Sequence, residues 1–382
     1  MRVTKARTAE IAGAGLAGLA VAVALAQRGW RVRVHEKGKE LREIGAGIYL
    51  FENALNALRV LGVYDAIVAS GVRYSQPRLL YDHRQREVHI ARPQDRLPDL
   101  VVILRTELHR ILAQKAVELG VEIVTNSRVT GADPDGRLLI ESGAVGTADL
   151  LVGADGVFSS VRTSLGLESR FVELADGCGR HLIPRRPTDA VTNRRIEMWN
   201  GGRRIGIASA SRDQHYIFLC CPSTDLAGRM QRPFNLEAWA ESHRPYADYL
   251  ERLPREPPET WRPFYNVTCS AWSKGRACII GDAAHGMAPN LGQGAGVAIV
   301  SATVLARALD AAIDIPDALH RWEASEKPYV TQTQRVSYLY GVVGTRWPRA
   351  LLSLRSHALP LLARHDLFQR NLRVAVDHVP TA

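Results

Sequence analysis

The sequence predicts an α/β chain, in which a three-layer nucleotide-binding domain carries an inserted antiparallel-sheet domain and ends in helices. Three observations predict it. A glycine-rich strand-turn-helix opens the chain, strand-like runs take over from about Phe171, and a long small-and-apolar helical pattern follows Gly294.

Composition bounds the answer first. At 382 residues the chain has room for two domains and a filled core. Apolar residues at 46% and charged residues at 23% are ordinary for a soluble globular enzyme. No charge-free apolar run is long enough to span a bilayer, and no repeat points to a solenoid. Cys178, Cys220, Cys221, Cys269 and Cys278 show neither CxxC nor zinc-ligand spacing, so the expectation is free thiols in a reducing, cytoplasmic compartment and no metal. The formal charge of +10, from 49 basic against 39 acidic side chains, draws anions. The basic residues are dispersed and no nucleic-acid reading element is present, so a small anionic substrate and a phosphorylated cofactor explain the excess better than nucleic acid.

In chain order, Glu10-Ile-Ala-Gly13-Ala-Gly15-Leu-Ala-Gly18 reads as a strand, a tight turn and the start of an apolar helix. Gly13 permits the turn, Gly15 removes the side chain that would block a pyrophosphate, and Gly18 lets the helix lie on the sheet. The pyrophosphate then meets the amide end of the helix. Glu36 ends the next strand 23 residues after Gly13, where an acid accepts hydrogen bonds from an adenosine ribose. This is a Rossmann-like arrangement. Ile11 to Ala26, behind the basic start Met1 to Arg7, has the hydropathy of a secretory signal. The glycine spacing and the strand that follows at once decide against that reading.

Lys37 to Leu50 is a loop whose glycines, Gly45 and Gly47, are expected to re-enter the nucleotide site, with Arg42 either covering the adenine or lying in solvent. Phe51 to Leu61 has helical spacing and Gly62 ends it. Tyr74 to Ile90 reads as strand material that leaves the nucleotide domain. A helix capped by Thr106 runs to about Leu119, and Arg105, just outside it, either meets a cofactor phosphate or hydroxyl or forms a surface ion pair. Gly120 to Val124 is a strand, and a hairpin-like turn surrounds Asp133 to Gly136. Asp149 to Gly156 is a buried strand entering a small-residue turn, with a helix from Ser159 beyond it. Asp155 in that turn is expected to cap local amides and also to orient groups around the cofactor.

The later strands, Gly179 to Ile183, Arg195 to Asn200, Arg204 to Ala208 and His215 to Cys220, suggest a sheet with one face on the cofactor. Arg180, Arg204 and Tyr216 are either sheet-surface residues or, facing a closed pocket, carboxylate holders. Phe234 to Tyr249 is helical in pattern, and Pro254 to Pro263 is a connection. Ala277 to Ile280 is a strand delivering Asp282; a loop follows, then a helix from about Gly294 to Ala312. His285 reads as structural in preference to a catalytic base. Helices are expected from Ile315 to about Tyr340, kinked or broken at Pro328, and from Pro348 to about Leu362; their apolar sides, with Leu339, Val342, Leu351, Leu352 and Leu361, read as cover for the domain in preference to a subunit contact.

Taken together, the three motifs resemble the single-component FAD-dependent aromatic hydroxylases that fold like 4-hydroxybenzoate hydroxylase. Gly13, Gly15 and Gly18 match the dinucleotide fingerprint of that family, Gly153-Ala-Asp155-Gly156 with Ser159 and Arg162 its DG motif, and Gly281-Asp282-Ala-Ala-His285 to Gly294 its second flavin motif. The resemblance spans about residues 8 to 330. It implies a discontinuous FAD-binding domain over 1–73, 98–170 and 271–330, a substrate domain over 74–97 and 171–270, and a helical cover over 331–382. FAD is then held noncovalently by Gly13, Gly15, Leu16, Ala17, Gly18, Glu36, Lys37, Arg42, Gly47, Arg105, Val129, Asp155, Gly156, Asp282, Pro289, Gly292, Gly294 and Ala295. Asp155 also serves the reductant, and Pro289 lies beside the reactive flavin edge.

Gly45 to Leu50 and Ile196 to Asn200 look most like the branch that hydroxylates hydroxypyridine carboxylates and opens their ring. Arg204 and Tyr216 become substrate anchors, with Arg180 third. Tyrosines expected of that branch are replaced near Leu79 and Phe264, with Tyr81 and Tyr265 only nearby. The implied reaction uses NADH or NADPH as a transient reductant and O2. Oxygen passes through a flavin C4a-hydroperoxide to a small anionic aromatic or heteroaromatic ring. A monomer or homodimer without membrane attachment is expected. The competing readings are a flavin oxidoreductase without oxygen insertion and a non-enzymatic flavin-binding regulator.

Overall fold

The computed structural model describes residues 6–41, 45–90, 96–143, 145–189, 194–230, 232–258, 260–310 and 312–378. A six-stranded sheet forms the nucleotide half, in the order Ser273–Lys274, Ala277–Ile279, Leu150–Gly153, Thr8–Ala12, Arg31–His35, Glu122–Val124. Thr8–Ala12 at its centre runs parallel to both neighbours. Parallel strands covered on both faces read as apolar runs, and Ile11, Val34, Leu150 and Val152 are all buried here. Leu16–Ala26 packs on this sheet between Gly294–Asp310 and Arg105–Glu118. The third layer is the antiparallel sheet of Val129–Ala132, Arg137–Ile140 and Val145–Thr147, whose Gly146 lies against the Glu10 carboxyl.

A small antiparallel sheet, Gly47–Phe51 with Leu100–Leu104 and Val72–Arg73, joins the two halves. The inserted half is a second six-stranded sheet, ordered Arg262–Cys269, Glu168–Pro184, Gln214–Pro222, Arg203–Ser209, Ile196–Asn200, Leu79–Tyr81. Only its last pair is parallel. Alternation divides its side chains between two faces. Ile205, Ile207, Ile217, Leu219 and Cys221 pack behind it on Trp239 and Leu250. Arg204, Tyr216, Phe218 and Cys220 take the other face.

Several elements differ from the sequence expectation: the loop expected over 37–50 ends in strand Gly47–Phe51, and Leu339, Leu351 and Leu361, expected to cover the domain, are exposed. The strand around Gly179 is 17 residues long, Glu168–Pro184, because its first part pairs with Arg262–Cys269 and its second with Gln214–Pro222. The helix expected over 234–249 is split into Leu236–Ser242, the 3-10 turn Arg244–Tyr246 and Ala247–Glu251, since Pro245 removes a backbone donor. Conversely, Ile315–Thr345 is one 31-residue helix through Pro328 and past residue 330. Neighbours outweigh the missing proline bond: Trp322 and Val330 are buried, and the Gln334 amide donates to the carbonyls of Val267 and Gly286 at 2.8 and 2.9 Å. No helix among the described residues is long and apolar enough to cross a membrane.

Candidate active site

The first turn is shaped by backbone contact. Gly13 has φ +98°, and a Cβ there would lie 2.5 Å from the Ala154 carbonyl oxygen. A Cβ on Gly18 would meet the Gly13 carbonyl oxygen at 1.9 Å. A Cβ on Gly15 would meet nothing within 4 Å. The protein itself therefore demands two of the glycines, while the third opens a cradle at a helix N-terminus, which fits the pyrophosphate of a dinucleotide. Glu36 closes the turn by accepting from Ala14 N at 3.1 Å and Gly38 N at 2.8 Å, with exposed Lys37 beside it. Buried His109, which sequence reasoning did not single out, holds the same turn through Nε2 and the Ala14 carbonyl at 2.8 Å.

Arg105 is the first residue of Arg105–Glu118 and does not lie outside it. Leu104, not Thr106, is the N-cap, and no side chain caps this helix. The Arg105 amide donates to Ala46 O at 2.8 Å and its Cδ lies 3.0 Å from where a Gly45 Cβ would stand, so the loop returning through Gly47 is pinned here. Val129 begins a strand of the third layer and is half-buried. Arg42 lies outside the described residues.

Asp155 acts as a local cap: Oδ1 accepts from Ser159 Oγ at 2.5 Å, and Oδ2 from Ser160 N at 2.7 Å and Val161 N at 3.2 Å. Gly156 follows with φ +84°. Buried Arg162 donates to Val157 O at 2.8 Å and to Ala283 O at 2.9 Å, joining motifs 121 residues apart. Asp282 opens a one-turn helix, Asp282–His285, where a loop was expected, and its side chain is exposed at the end of the central sheet. His285 is buried, 5.3 Å from the Trp272 ring, and burial pushes it down to about 4. It is a neutral packing residue. Pro289–Leu291 is a 3-10 turn, Gly292 is left-handed with φ +67°, and Gly294 and Ala295 start the next helix. Gly292 sits on Tyr49 and Phe51.

Across from this turn stands the inward face of the second sheet. Tyr216 packs so closely on Gly47 that a Cβ there would lie 2.6 Å from its ring. Tyr49 and Phe218 flank the phenol, each with ring centroids 6.1 Å away. Burial raises the Tyr216 phenol well above its usual range, opposed by adjacent Arg180. Arg204 is 2% exposed. Its Nε stands 3.3 Å from Glu197 Oε1, its Nη2 donates to Asn290 Oδ1 at 2.8 Å, and the Tyr340 ring lies 5.4 Å away. Glu197 also accepts from Arg78, from Trp199 Nε1 at 2.7 Å and from Tyr340 Oη at 3.4 Å. Burial opposes its charge, but Arg78 and Arg204 outweigh it and hold the carboxyl below its ordinary range.

Beside this network Leu174, Cys178, Cys220, Phe264 and Ala288 form an apolar wall, with Phe218 and Tyr338 against it. Leu79 and Tyr81 pack on the back of the sheet, and Tyr265 turns away to Phe158 and Phe171. Glu197 and Asn290 were missed as site residues. Both lie in motifs that the sequence flagged, but no local signal pairs either with Arg204. All five cysteines are buried, free thiols.

A glycine cradle at a parallel sheet, facing an antiparallel sheet across a small-residue turn, defines a dinucleotide-binding flavoprotein. The chain belongs to the FAD binding domain family, whose model matches residues 5–337. It is an FAD-dependent aromatic monooxygenase. It is 34% identical to the 2-heptyl-3-hydroxy-4(1H)-quinolone synthase of Mycobacteroides abscessus, over 88% of this chain and 90% of that one. It is 31% identical to the 3-amino-4-hydroxybenzoate 2-monooxygenase of Streptomyces cremeus, over 85% and 84%. Among solved structures, the tetrameric form of 2-methyl-3-hydroxypyridine-5-carboxylic acid oxygenase superposes with a TM-score of 0.85 at 33% identity, covering 99% of this chain and 98% of that one.

Proposed function

We propose that the chain is an NAD(P)H-dependent hydroxylase of a nitrogen heteroaromatic ring, with a substrate of the 2-alkyl-4-quinolone kind. The observation that carries this reading is the charge balance of the sheet face. A bidentate carboxylate anchor needs an arginine with its fork open, and two of the three Arg204 nitrogens are committed, Nε beside Glu197 and Nη2 to Asn290, which leaves Nη1 alone. The adjoining wall of Leu174, Cys178, Cys220 and Phe264 suits an alkyl chain and a flat ring. The Mycobacteroides abscessus relative, named for a 2-heptyl-3-hydroxy-quinolone product, points the same way.

When bound, FAD supplies the redox chemistry, taking electrons from the nicotinamide and activating O2 for insertion at a ring carbon. The chain supplies the rest. The Gly15 turn holds the pyrophosphate, and the apolar wall excludes water. Tyr216, protonated at neutral pH, donates to a ring oxygen, and Arg180 behind it stabilises negative charge that develops there.

One observation favours a second reading. Arg180 forms no ion pair among the described residues, so a hydroxypyridine carboxylate would meet a cation at the sheet face, and the superposed 2-methyl-3-hydroxypyridine-5-carboxylic acid oxygenase is named for such a substrate. The test offers 2-heptyl-4-quinolone and a panel of hydroxypyridine carboxylates to the flavoprotein, following NAD(P)H oxidation, oxygen uptake and product mass together. The quinolone is expected to gain one oxygen atom with tight coupling. A carboxylate turned over in preference establishes the second reading, and turnover of neither overturns both.

A further inference from the structure

Asp176 is 1% exposed, and neither of its carboxylate oxygens has a hydrogen-bond partner among the described residues. Fully buried Arg204 keeps Nη1 unpartnered, and Arg346, stacked 5.0 Å from the Tyr338 ring, keeps Nε and Nη2 unpartnered. These groups converge on one side of the long helix Ile315–Thr345. A Cβ on Gly341 would lie 3.2 Å from Asp176 Oδ2 and 2.4 Å from Asn290 Nδ2, and one on Gly344 would lie 2.9 Å from Arg204 Nη1. The two glycines stand about 4.5 Å apart along the axis. Acceptor and cation therefore approach each other without forming an ion pair.

A buried carboxylate with no donor costs several kcal/mol, and such groups in folded proteins have partners. Asp176 shares its strand face with Cys178, which lines the apolar wall, and it neighbours Asn290, one residue after Pro289. Burial pushes its carboxyl up, opposed by Arg346 and then Arg204, and a donated hydrogen bond would favour the charged form.

We infer that Asp176 is a specificity-determining residue that accepts a hydrogen bond from the ring N–H of the heteroaromatic substrate, with Arg204 and Arg346 as its flanking cations. The inference rests on the reading of the site as one for a nitrogen heteroaromatic ring. It makes the carboxylate select rings that carry an N–H over rings alkylated at that nitrogen.

The test titrates the FAD-loaded protein with 2-heptyl-4-quinolone and with its N-methyl analogue, read by perturbation of the flavin spectrum. The wild type is expected to prefer the N–H compound about ten-fold or more. Asp176→Ala is expected to abolish that preference at unchanged FAD content. Should Asp176→Ala not fold, the isosteric Asp176→Asn carries the comparison, with a reduced preference expected.

A preference that survives in the folded variant reflects methyl bulk alone and overturns the inference. So does equal binding by the wild type, or an equal loss of both ligands in the variant. In these cases the heteroaromatic reading stands. A wild type that binds neither compound overturns the quinolone reading and the inference with it.

Discussion

Arg204 donates to Asn290 Oδ1 across 2.8 Å, and the Asn290 amide donates onward to Ser337 O at 3.0 Å. The inserted sheet, the Pro289–Leu291 turn and the long C-terminal helix are thus fastened at one side chain, next to Pro289.

Arg204→Met removes the donor to Asn290 and one of the partners of Glu197. A stability loss of about 3 kcal/mol is expected by thermal unfolding. Product formed per NAD(P)H should fall as peroxide release rises, because the turn is no longer held. Unchanged coupling in a folded Arg204→Met protein would show that the tether does not position the turn.

The three glycines of the first turn separate folding from binding. Gly15→Val has space and should fold with a near-normal melting temperature while losing bound FAD. Gly18→Ala drives its Cβ into the Gly13 carbonyl and should lower stability by several kcal/mol. Flavin absorbance and melting curves on the two proteins check both outcomes, and similar behaviour of the pair would contradict the assignment.

Gly47→Ala pushes against the Tyr216 ring, where a Cβ would stand at 2.6 Å. The ring must shift to admit it. Weaker substrate binding with FAD largely retained is expected from parallel titrations, and a greater loss of FAD than of substrate would place Gly47 on the cofactor side alone.

Stability should fall on the acid side. Burial depresses His285 and His243 to about 4 from the ordinary 6.5. Both are neutral in the fold, so their contribution is complete above pH 6.5 and is lost as the pH drops toward 4, while the unfolded chain takes up two protons. The slope in that window approaches about 3 kcal/mol per pH unit. Asp189, held below its usual range chiefly by Arg252, adds a further loss at lower pH. Urea midpoints at pH 7.5 and 5 measure the effect, and His285→Gln should reduce it by roughly one proton.

The site was legible where its chemistry is written in consecutive backbone. Gly13 and Gly18 contact each other within one strand-turn-helix, so their spacing alone reports the packing. Asp155 and Ser159 form a cap inside one turn for the same reason. The roles of Arg204 and Tyr265 were not legible. The pairing of the long strand shifts between Glu173 and Gly177, and such an irregularity changes which side chains share a face. Phe264 ends up on the apolar wall, and Tyr265 turns to Phe158 and Phe171.

By itself the sequence determined the fold class, the dinucleotide cradle and the family, since each depends on short-range spacing of small residues. Tertiary structure alone decided which charges are matched. Arg204 is matched by Glu197 from a neighbouring strand and by Asn290 from a turn, while Asp176, on a third strand, stays unpaired beside the glycines of the long helix. Spacing along the chain carries no record of such convergence, because a buried charge is balanced by whatever the folded neighbours bring within hydrogen-bond reach.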